Sequence, residues 1–375
     1  MAGLSELAAP EDAATRRVLV TGLSTYWGGR LAQALESFER IEAIIGVDGE
    51  APTRELERTE YVKVTNQHSL LERIVRAAEI DTVIDTRLVV NSLMASPRIA
   101  HENNVIGTMN ILAACTGADS PVRKFVFKSS THHYGAEQDD PAFFTEEMPR
   151  AHPPRTALER DIVEAEQAVG EFAQRNPEVT VTVLRCASVL GPDVDTPFTR
   201  MFRLPLVPMV LGFDPRLGFV HEDDVVHALE HAAFHICPGI YNVAADGVLA
   251  LSEIIDLVGK LPAPLLPPWG TGPATGFLRR LGFRIPDEVV NLLRFGRGVD
   301  NRLLKSTGFS YGYTTRETVI KLSEHMRLAP VMRGTDQEYT YEREVEEFLR
   351  WSPNVRRERP GQRGGASTEI EPLGI

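Results

Sequence analysis

Apolar runs rich in β-branched residues alternate, through the first half of the chain, with stretches whose apolar residues recur at helical spacing. Strands are predicted at 18–21, 41–48, 60–64, 81–85, 122–128 and 179–184. Helices are predicted between them, including 70–78, 104–115 and 157–175. Strands that alternate with helices of about ten or more residues are joined by crossover units, which build a parallel sheet. The pattern therefore predicts an α/β fold with a doubly wound parallel (Rossmann) sheet.

The regular alternation stops beyond Pro192. A helix capped by Ser252 with Glu253 is predicted there, and the proline-rich stretch 261–273 predicts an extended connection. We interpret this irregular part as a smaller lobe that covers a substrate cleft. The expected organisation is a disordered leader at 1–16, the doubly wound domain at 17–196, the substrate lobe with elements returning to the core at 197–335, a terminal helix at 336–351 and a disordered tail at 352–375.

A glycine-rich turn connects the first strand to the first helix. The strand stops at Gly22, and Gly28 and Gly29 open the helix. Free backbone N–H groups and the positive end of the helix dipole converge there, which suits the diphosphate of a dinucleotide. Asp48 ends the second strand about 20 residues later, where a carboxylate binds a ribose 2′-OH and favours NAD over NADP. Thr25 departs from the glycine pattern, so a βα turn without a ligand is the competing interpretation.

The composition excludes several classes of binding partner. The 375 residues carry a formal net charge of −12, whereas nucleic-acid binding needs a basic surface. The three cysteines have neither metal-ligand spacing nor an even count for disulfides, which indicates a reducing cytoplasm. The leader lacks the features of a signal peptide, and no uncharged apolar run reaches the roughly 18 residues of a membrane span. We therefore expect a cytoplasmic protein that binds no metal and no nucleic acid.

Five further motifs follow the glycine turn in a characteristic order. They are NVIGTMN (104–110), SSTHHYG (129–135), RCASVLGP (185–192), FVHEDD (219–224) and GIYNV (239–243). Together they give residues 17–325 a resemblance to the extended short-chain dehydrogenases/reductases of the NAD-dependent epimerase/dehydratase family, nearest to its UDP-glucose 4-epimerase-like branch. The resemblance implies bound NAD, a nucleotide sugar or related metabolite as substrate, and isomerase activity. Members often form homodimers through the helices after the fourth and fifth strands, so a homodimer is expected.

The resemblance also assigns site residues. Ser130 is the serine that hydrogen-bonds a substrate oxygen, whereas Asp223 and Asp224 cap a helix. Arg87 stands where the family has a small residue against the cofactor, and Asn66 stands where an acid reads the adenine. The expected cofactor residues are Thr21, Gly22, Thr25, Tyr26, Trp27, Gly28, Asp48, Asn66, Arg87, Asn104 and Lys128.

The family's catalytic pair is replaced in this chain. Members carry a proton-exchanging Tyr and, four residues later, a Lys that binds the ribose; the resemblance places Thr156 and Arg160 at these positions. A threonine hydroxyl is too weak an acid, and arginine keeps its proton although it can still bind ribose hydroxyls. A histidine next to Ser130 is a candidate proton carrier. Strand alternation turns only one of His132 and His133 inwards, and a packing role is the alternative. We expect catalytic residues at Ser130, Thr156, Arg160 and His133.

Three functions are open at this point. The first is an NAD-dependent enzyme of nucleotide sugars with an altered active site. The second is a non-catalytic NAD(P)-binding regulatory or scaffold protein, which the missing pair favours. The third is a peripheral protein of membrane or envelope metabolism that binds anionic lipid through the basic amphipathic stretch 274–297. Alternatively, the arginines of this stretch meet a substrate diphosphate on a helix packed against the lobe.

Overall fold

Seven parallel strands form the central sheet of the computed structural model, which describes residues 15–64, 67–117, 119–265 and 287–332. In chain order, the strands of the described residues are β1 (Arg17–Thr21), β2 (Ala43–Asp48), β3 (Thr59–Lys63), β4 (Thr82–Asp85), β5 (Lys124–Ser130), β6 (Phe143–Phe144), β7 (Thr180–Cys186), β8 (Ser188–Leu190), β9 (Leu206–Val210), β10 (Arg216–Leu217), β11 (Phe219–His221), β12 (Gly239–Val243), β13 (Leu249–Ala250), β14 (Leu261–Leu265) and β15 (Gly298–Val299). The α-helices are α1 (Tyr26–Glu36), α2 (His68–Ala77), α3 (Pro97–His101), α4 (Thr108–Ala114), α5 (Ala157–Arg175), α6 (Pro197–Arg203), α7 (Glu222–Phe234), α8 (Leu251–Leu257), α9 (Asp287–Phe295), α10 (Arg302–Ser306) and α11 (Thr315–Met332).

The central sheet has the strand order β12-β7-β5-β4-β1-β2-β3, with every pair parallel. The chain winds from β1 through β2 to β3 on one side and continues from β4 on the other side. The loops after β1 and β4 therefore diverge and leave a crevice at the carboxyl ends of these strands. This confirms the predicted doubly wound fold.

Helices cover both faces of the sheet, because its strands are apolar on both sides. On one face, Leu31 and Leu35 of α1 and Leu229 of α7 are fully buried in one core cluster. On the other face, α4 and α5 pack with Ile111 and Ile162 buried against strand residues. A third cluster, which includes Phe202, Phe219 and Leu251, forms the core of the C-terminal part.

One local prediction for the C-terminal part is wrong, and another holds only in that the described backbone is extended. Residues 261–265 form β14, which pairs in parallel with β9, whereas the rest of the predicted connection lies outside the described residues. Helix α8 begins at Leu251, one residue before the predicted cap. Ser252 therefore lies inside the helix, where its amide and its hydroxyl donate to Asp214.

The described residues up to Val331 form one compact unit, so the boundary at residue 196 stays a prediction. The terminal helix 336–351 and the tail 352–375 lie outside the described residues, as does the leader except for its last two residues. Within the described part, no helix combines the length and the apolar character needed to cross a membrane. All three cysteines are buried and free.

Candidate functional site

A cavity of about 640 Å³ opens at the carboxyl ends of the central strands. It extends from the turn after β1, past the loop after β4, to the end of β5. A second cavity of about 400 Å³ shares Asp48 and Arg87 with it and is also lined by Thr21. The predicted site residues that line the larger cavity are Thr25, Tyr26, Trp27, Asp48, Arg87, Lys128 and Ser130.

The turn between β1 and α1 shows why its glycines are needed. Gly22 has a φ of +79°, and a Cβ on Gly28 would lie 2.1 Å from the carbonyl oxygen of Gly22. Thr25, in contrast, has a φ of −73° and is the N-cap of α1. Its hydroxyl donates to the Gly22 oxygen at 2.7 Å and accepts from the Gly28 amide at 3.1 Å. The residue that breaks the glycine pattern therefore closes the turn and caps the helix.

Asp48 lies at the end of β2, facing this turn. One carboxylate oxygen accepts from the Ser24 amide at 2.9 Å and from the Ser24 hydroxyl at 2.6 Å, and the other accepts from the Gly49 amide at 2.6 Å. A carboxylate has about four acceptor positions, so one is left for a ligand hydroxyl. Ser24 thereby fixes the orientation of the Asp48 carboxylate.

Arg87 crosses the crevice between the two cavities. Its Nε lies 3.2 Å from Asp85, which also accepts from the Thr21 hydroxyl at 2.7 Å. The arginine side chain lies over Gly22, where a Cβ would be 2.6 Å from its Cγ. Its Nη2 is buried and has no hydrogen-bond partner among the described residues. The bulky residue thus presents an unused donor in the part of the crevice next to Asp48.

Asn104 does not line either cavity. It is fully buried, and its amide group accepts from the Val89 N–H at 2.8 Å and donates to the Val89 oxygen at 2.9 Å. Its role in the described structure is to fix the loop after β4, while the neighbouring Asn103 lines both cavities. Asn66, predicted to read the adenine, lies outside the described residues.

Ser130 and His132 form a pair at the end of β5. The Ser130 hydroxyl oxygen lies 2.8 Å from Nδ1 of His132, and both residues line the larger cavity. Burial, together with Arg297 and Arg150, lowers the pKa of His132 well below its ordinary value. His132 is therefore neutral near pH 7. Its Nε2 is buried without a hydrogen-bond partner in the described part of the chain.

His132, and not the predicted His133, contacts Ser130 for a geometric reason, and the catalytic role of His133 stays a prediction. The chain leaves the strand at Ser130 and forms a 3₁₀ turn over Thr131–His133, so strand alternation no longer applies. His133 Nδ1 lies 3.0 Å from a carboxylate oxygen of Glu166 on α5. Glu166 also pairs with Arg185. Burial would raise the pKa of Glu166, but these two partners outweigh burial and lower it.

Thr156 and Arg160 are likewise not brought together with Ser130. Thr156 is the N-cap of α5, and its hydroxyl accepts from the Glu159 amide at 3.1 Å. It lines a different cavity, of about 480 Å³. Arg160 is exposed, because Leu158 and Ile162 occupy the inward face of this helix. In the described structure, neither Thr156 nor Arg160 lines the cavity that contains Ser130, where the substrate oxygen is expected.

The carboxylates of FVHEDD have structural partners. His221, and not an aspartate, is the N-cap of α7, because its Nδ1 accepts from the Asp223 amide at 3.2 Å. Asp224 is fully buried and accepts from the amides of Gly312 and Tyr313. The prediction that Asp223 and Asp224 cap the helix is therefore wrong. Asp224 nevertheless has a structural role, because it accepts the two amide hydrogen bonds.

Arg294 and Arg297 are the arginines of the basic stretch 274–297 that lie among the described residues. Both side chains contact other parts of the protein and do not form a basic surface. Arg294 packs on the rings of Phe213 and Phe295. Arg297 is buried and donates to the Gly135 oxygen at 2.8 Å. The other arginines of the stretch, Arg279, Arg280 and Arg284, lie outside the described residues.

The model of the NAD dependent epimerase/dehydratase family matches residues 18–244. An uncharacterized protein of Mycobacterium tuberculosis is 34% identical over 323 residues, which are 84% of this chain and 85% of that protein. A Mycobacterium bovis protein matches with the same identity and coverage.

Solved structures share the fold. MoeE5 in complex with UDP-glucuronic acid and NAD is 22% identical, with a TM-score of 0.64. The UDP-glucuronic acid 4-epimerase of Bacillus cereus in complex with NAD is 16% identical, with a TM-score of 0.63. Each alignment covers 84% of this chain and 99% of the other.

Proposed function

Because the chain belongs to the NAD-dependent epimerase/dehydratase family, we propose that it binds NAD and acts on a hydroxyl-bearing carbon of a nucleotide sugar. The observation that carries this proposal is the 2.8 Å contact between Ser130 and His132 inside a cavity that begins at Asp48. His132 is thus a candidate proton carrier next to Ser130, in a chain whose helix α5 has Thr156 and Arg160 in place of the family's Tyr and Lys. The ligands of MoeE5, UDP-glucuronic acid and NAD, support the proposed classes of substrate and cofactor.

The residues of the crevice fit a dinucleotide. The start of α1 offers backbone N–H groups to a diphosphate, and Gly28 leaves no side chain in the way. Asp48 keeps an acceptor position for a ribose hydroxyl and would repel a 2′-phosphate, which favours NAD over NADP. Arg87 offers an unpartnered N–H beside the smaller cavity. When bound, NAD supplies a group that accepts a hydride and returns it.

Ser130 and His132 would move the proton. The Ser130 oxygen takes the proton of the substrate hydroxyl while the Ser130 proton passes to Nδ1 of His132. This requires the tautomer in which Nδ1 accepts from the serine, and the low pKa of His132 keeps its imidazole neutral for that role. The proton returns to the substrate oxygen along the same path, which restores Ser130 and His132 to their starting state.

The environment of His132 sets the expected rate. Arg297 and Arg150 oppose a second positive charge on the imidazole. Taking up the proton is therefore costly and giving it back is easy. We expect turnover slower than that of a relative with the tyrosine and lysine pair.

A second candidate function, NAD(P) binding without catalysis, is favoured by α5. This helix presents a capping threonine and an exposed arginine, and neither lines the larger cavity. In this case the cavity would bind the dinucleotide for regulation or scaffolding. The contact between Ser130 and His132 would then only stabilise the 3₁₀ turn over Thr131–His133.

One experiment separates the two functions. Binding of NAD to purified protein is measured by calorimetry, and the protein is then incubated with NAD and UDP-glucose or UDP-glucuronic acid while the 4-epimers are quantified by NMR. We expect binding and slow epimer formation, with epimer formation lost and NAD binding kept in Ser130→Ala. Binding without any epimer supports the second candidate. Absence of NAD binding would contradict both.

A further inference from the structure

Lys128 is a buried lysine inside the larger cavity, and burial lowers the pKa of its amino group. It lies on β5 two residues before Ser130, so both side chains project from the same face of the strand. Its exposed fraction is 2%, and its Nζ lies 4.7 Å from the centroid of the Trp27 ring. Cys186 is the one titratable group of the described chain that acts on it appreciably, and no carboxylate of the described residues pairs with it.

Holding a buried lysine in its charged form without a carboxylate is costly, so the position of Lys128 needs a reason. The cavity has two chemically different ends. Asp48 marks the end that fits an adenosine ribose, and Ser130 marks the end where a substrate oxygen would be held. Lys128 lies at the Ser130 end. The ring that exchanges a hydride with the substrate must reach this same end.

This reactive ring, the nicotinamide, is cationic in NAD⁺ and neutral in NADH. A nearby ammonium, shielded from water, disfavours the cationic form and leaves the neutral form unaffected. We infer that Lys128 makes the site bind NADH more tightly than NAD⁺ and thereby promotes hydride removal from the substrate. The inference rests on the proposed function. No residue of α5 lines this cavity, so the proposed electrostatic effect on the cofactor comes from Lys128 on β5.

The test compares the dissociation constants of NAD⁺ and NADH. In Lys128→Met we expect the ratio of the NAD⁺ constant to the NADH constant to fall at least tenfold. A tenfold change corresponds to about 1.4 kcal/mol, or about 30 mV for a two-electron couple. Lys128→Arg keeps the charge and should keep most of the ratio.

Lys124 provides the matched control. It lies on the same face of the same strand and is also buried, but at the opposite end, where its Nζ donates to the Ala233 oxygen at 2.5 Å. Lys124→Met should leave the ratio unchanged, and circular dichroism of all three variants checks that they are folded.

Two outcomes would overturn the inference alone. In one, Lys128→Met weakens both forms equally, which would make Lys128 a general ligand of the diphosphate. In the other, the ratio of Lys128→Met equals that of the wild type. Wild-type protein that binds neither form would instead overturn the proposed function, and the inference with it.

Discussion

The Ser130 hydroxyl lies 2.8 Å from Nδ1 of His132, whereas the adjacent His133 contacts Glu166. We therefore expect His132→Asn to lower kcat by about 10² to 10⁴, because the amide can hydrogen-bond Ser130 but cannot take its proton. His133→Asn, the matched variant, should change kcat by less than about tenfold. Epimer formation under saturating NAD and substrate measures both. Equal losses in the two variants would argue against the pair.

The pH dependence of turnover should reflect the buried state of His132. Burial, Arg297 and Arg150 hold its pKa well below the ordinary value, so lowering the pH from 8 to 6 leaves a neutral imidazole that is able to accept a proton. We expect the contribution of His132 to kcat to stay constant over this range and to be lost only at lower pH. A loss centred near pH 6.5, the approximate value of a free imidazole, would show that His132 is not buried as described.

Asp48 should control affinity for NAD and selection against NADP. Asp48→Asn removes the charge that repels a 2′-phosphate and weakens a charge-assisted hydrogen bond, which is typically about 1.5 to 3 kcal/mol. We expect NAD to bind at least about tenfold more weakly and the preference over NADP to shrink. Calorimetry with both cofactors tests this. Glu50→Gln removes one charge from the same cavity and shows whether charge alone is responsible.

Thr156 should matter for stability and not for chemistry. Thr156→Ala removes the N-cap of α5 and should lower the free energy of unfolding by about 1 kcal/mol, whereas Thr156→Ser should keep most of it. NAD affinity should be unchanged in both. Urea unfolding and calorimetry provide the two readouts. For the same reason, Thr156→Tyr combined with Arg160→Lys should not raise epimer formation, and a clear gain would contradict the placement of α5.

Asp224 should make the protein more stable at mildly acidic pH. Burial raises the pKa of Asp224 from 3.8 to about 6, even though Gly312 and Tyr313 donate amide hydrogen bonds to it. Between these values only the folded state binds the proton, so the contribution of this group rises as the pH falls through 6. Relative to Asp224→Asn, the wild type should gain about 1 to 3 kcal/mol between pH 7 and pH 4. Urea unfolding of both proteins across this range measures the difference.

The sheet was predictable because its strands are short apolar runs separated by amphipathic helices, and each predicted run forms a strand of the central sheet. The pairing of β14 with β9 was not predictable, because it joins segments about 55 residues apart and one of them is rich in proline. The predicted cap, Ser252, lies two residues after the observed N-cap, Ala250, which is within the usual uncertainty of a helix boundary.

Cofactor and catalytic residues differed in how far sequence could specify them. Gly22, Gly28 and Asp48 follow from a local turn whose spacing is fixed by geometry. His132 could not be distinguished from His133, because the change from strand to 3₁₀ turn at Ser130 depends on tertiary packing. The cytoplasmic location, the homodimer and peripheral membrane contact stay predictions.

The position of Lys128 and Ser130 on β5 has a further consequence. This strand is flanked by β4 and β7 and buried along its length. The amide hydrogens of such a strand exchange with solvent only when most of the domain opens. A helix start, in contrast, frays readily. Because the proposed site residues Lys128 and Ser130 lie on this strand, we expect them to keep their positions until most of the domain opens, and we expect any motion during the proposed turnover to occur in the surrounding loops.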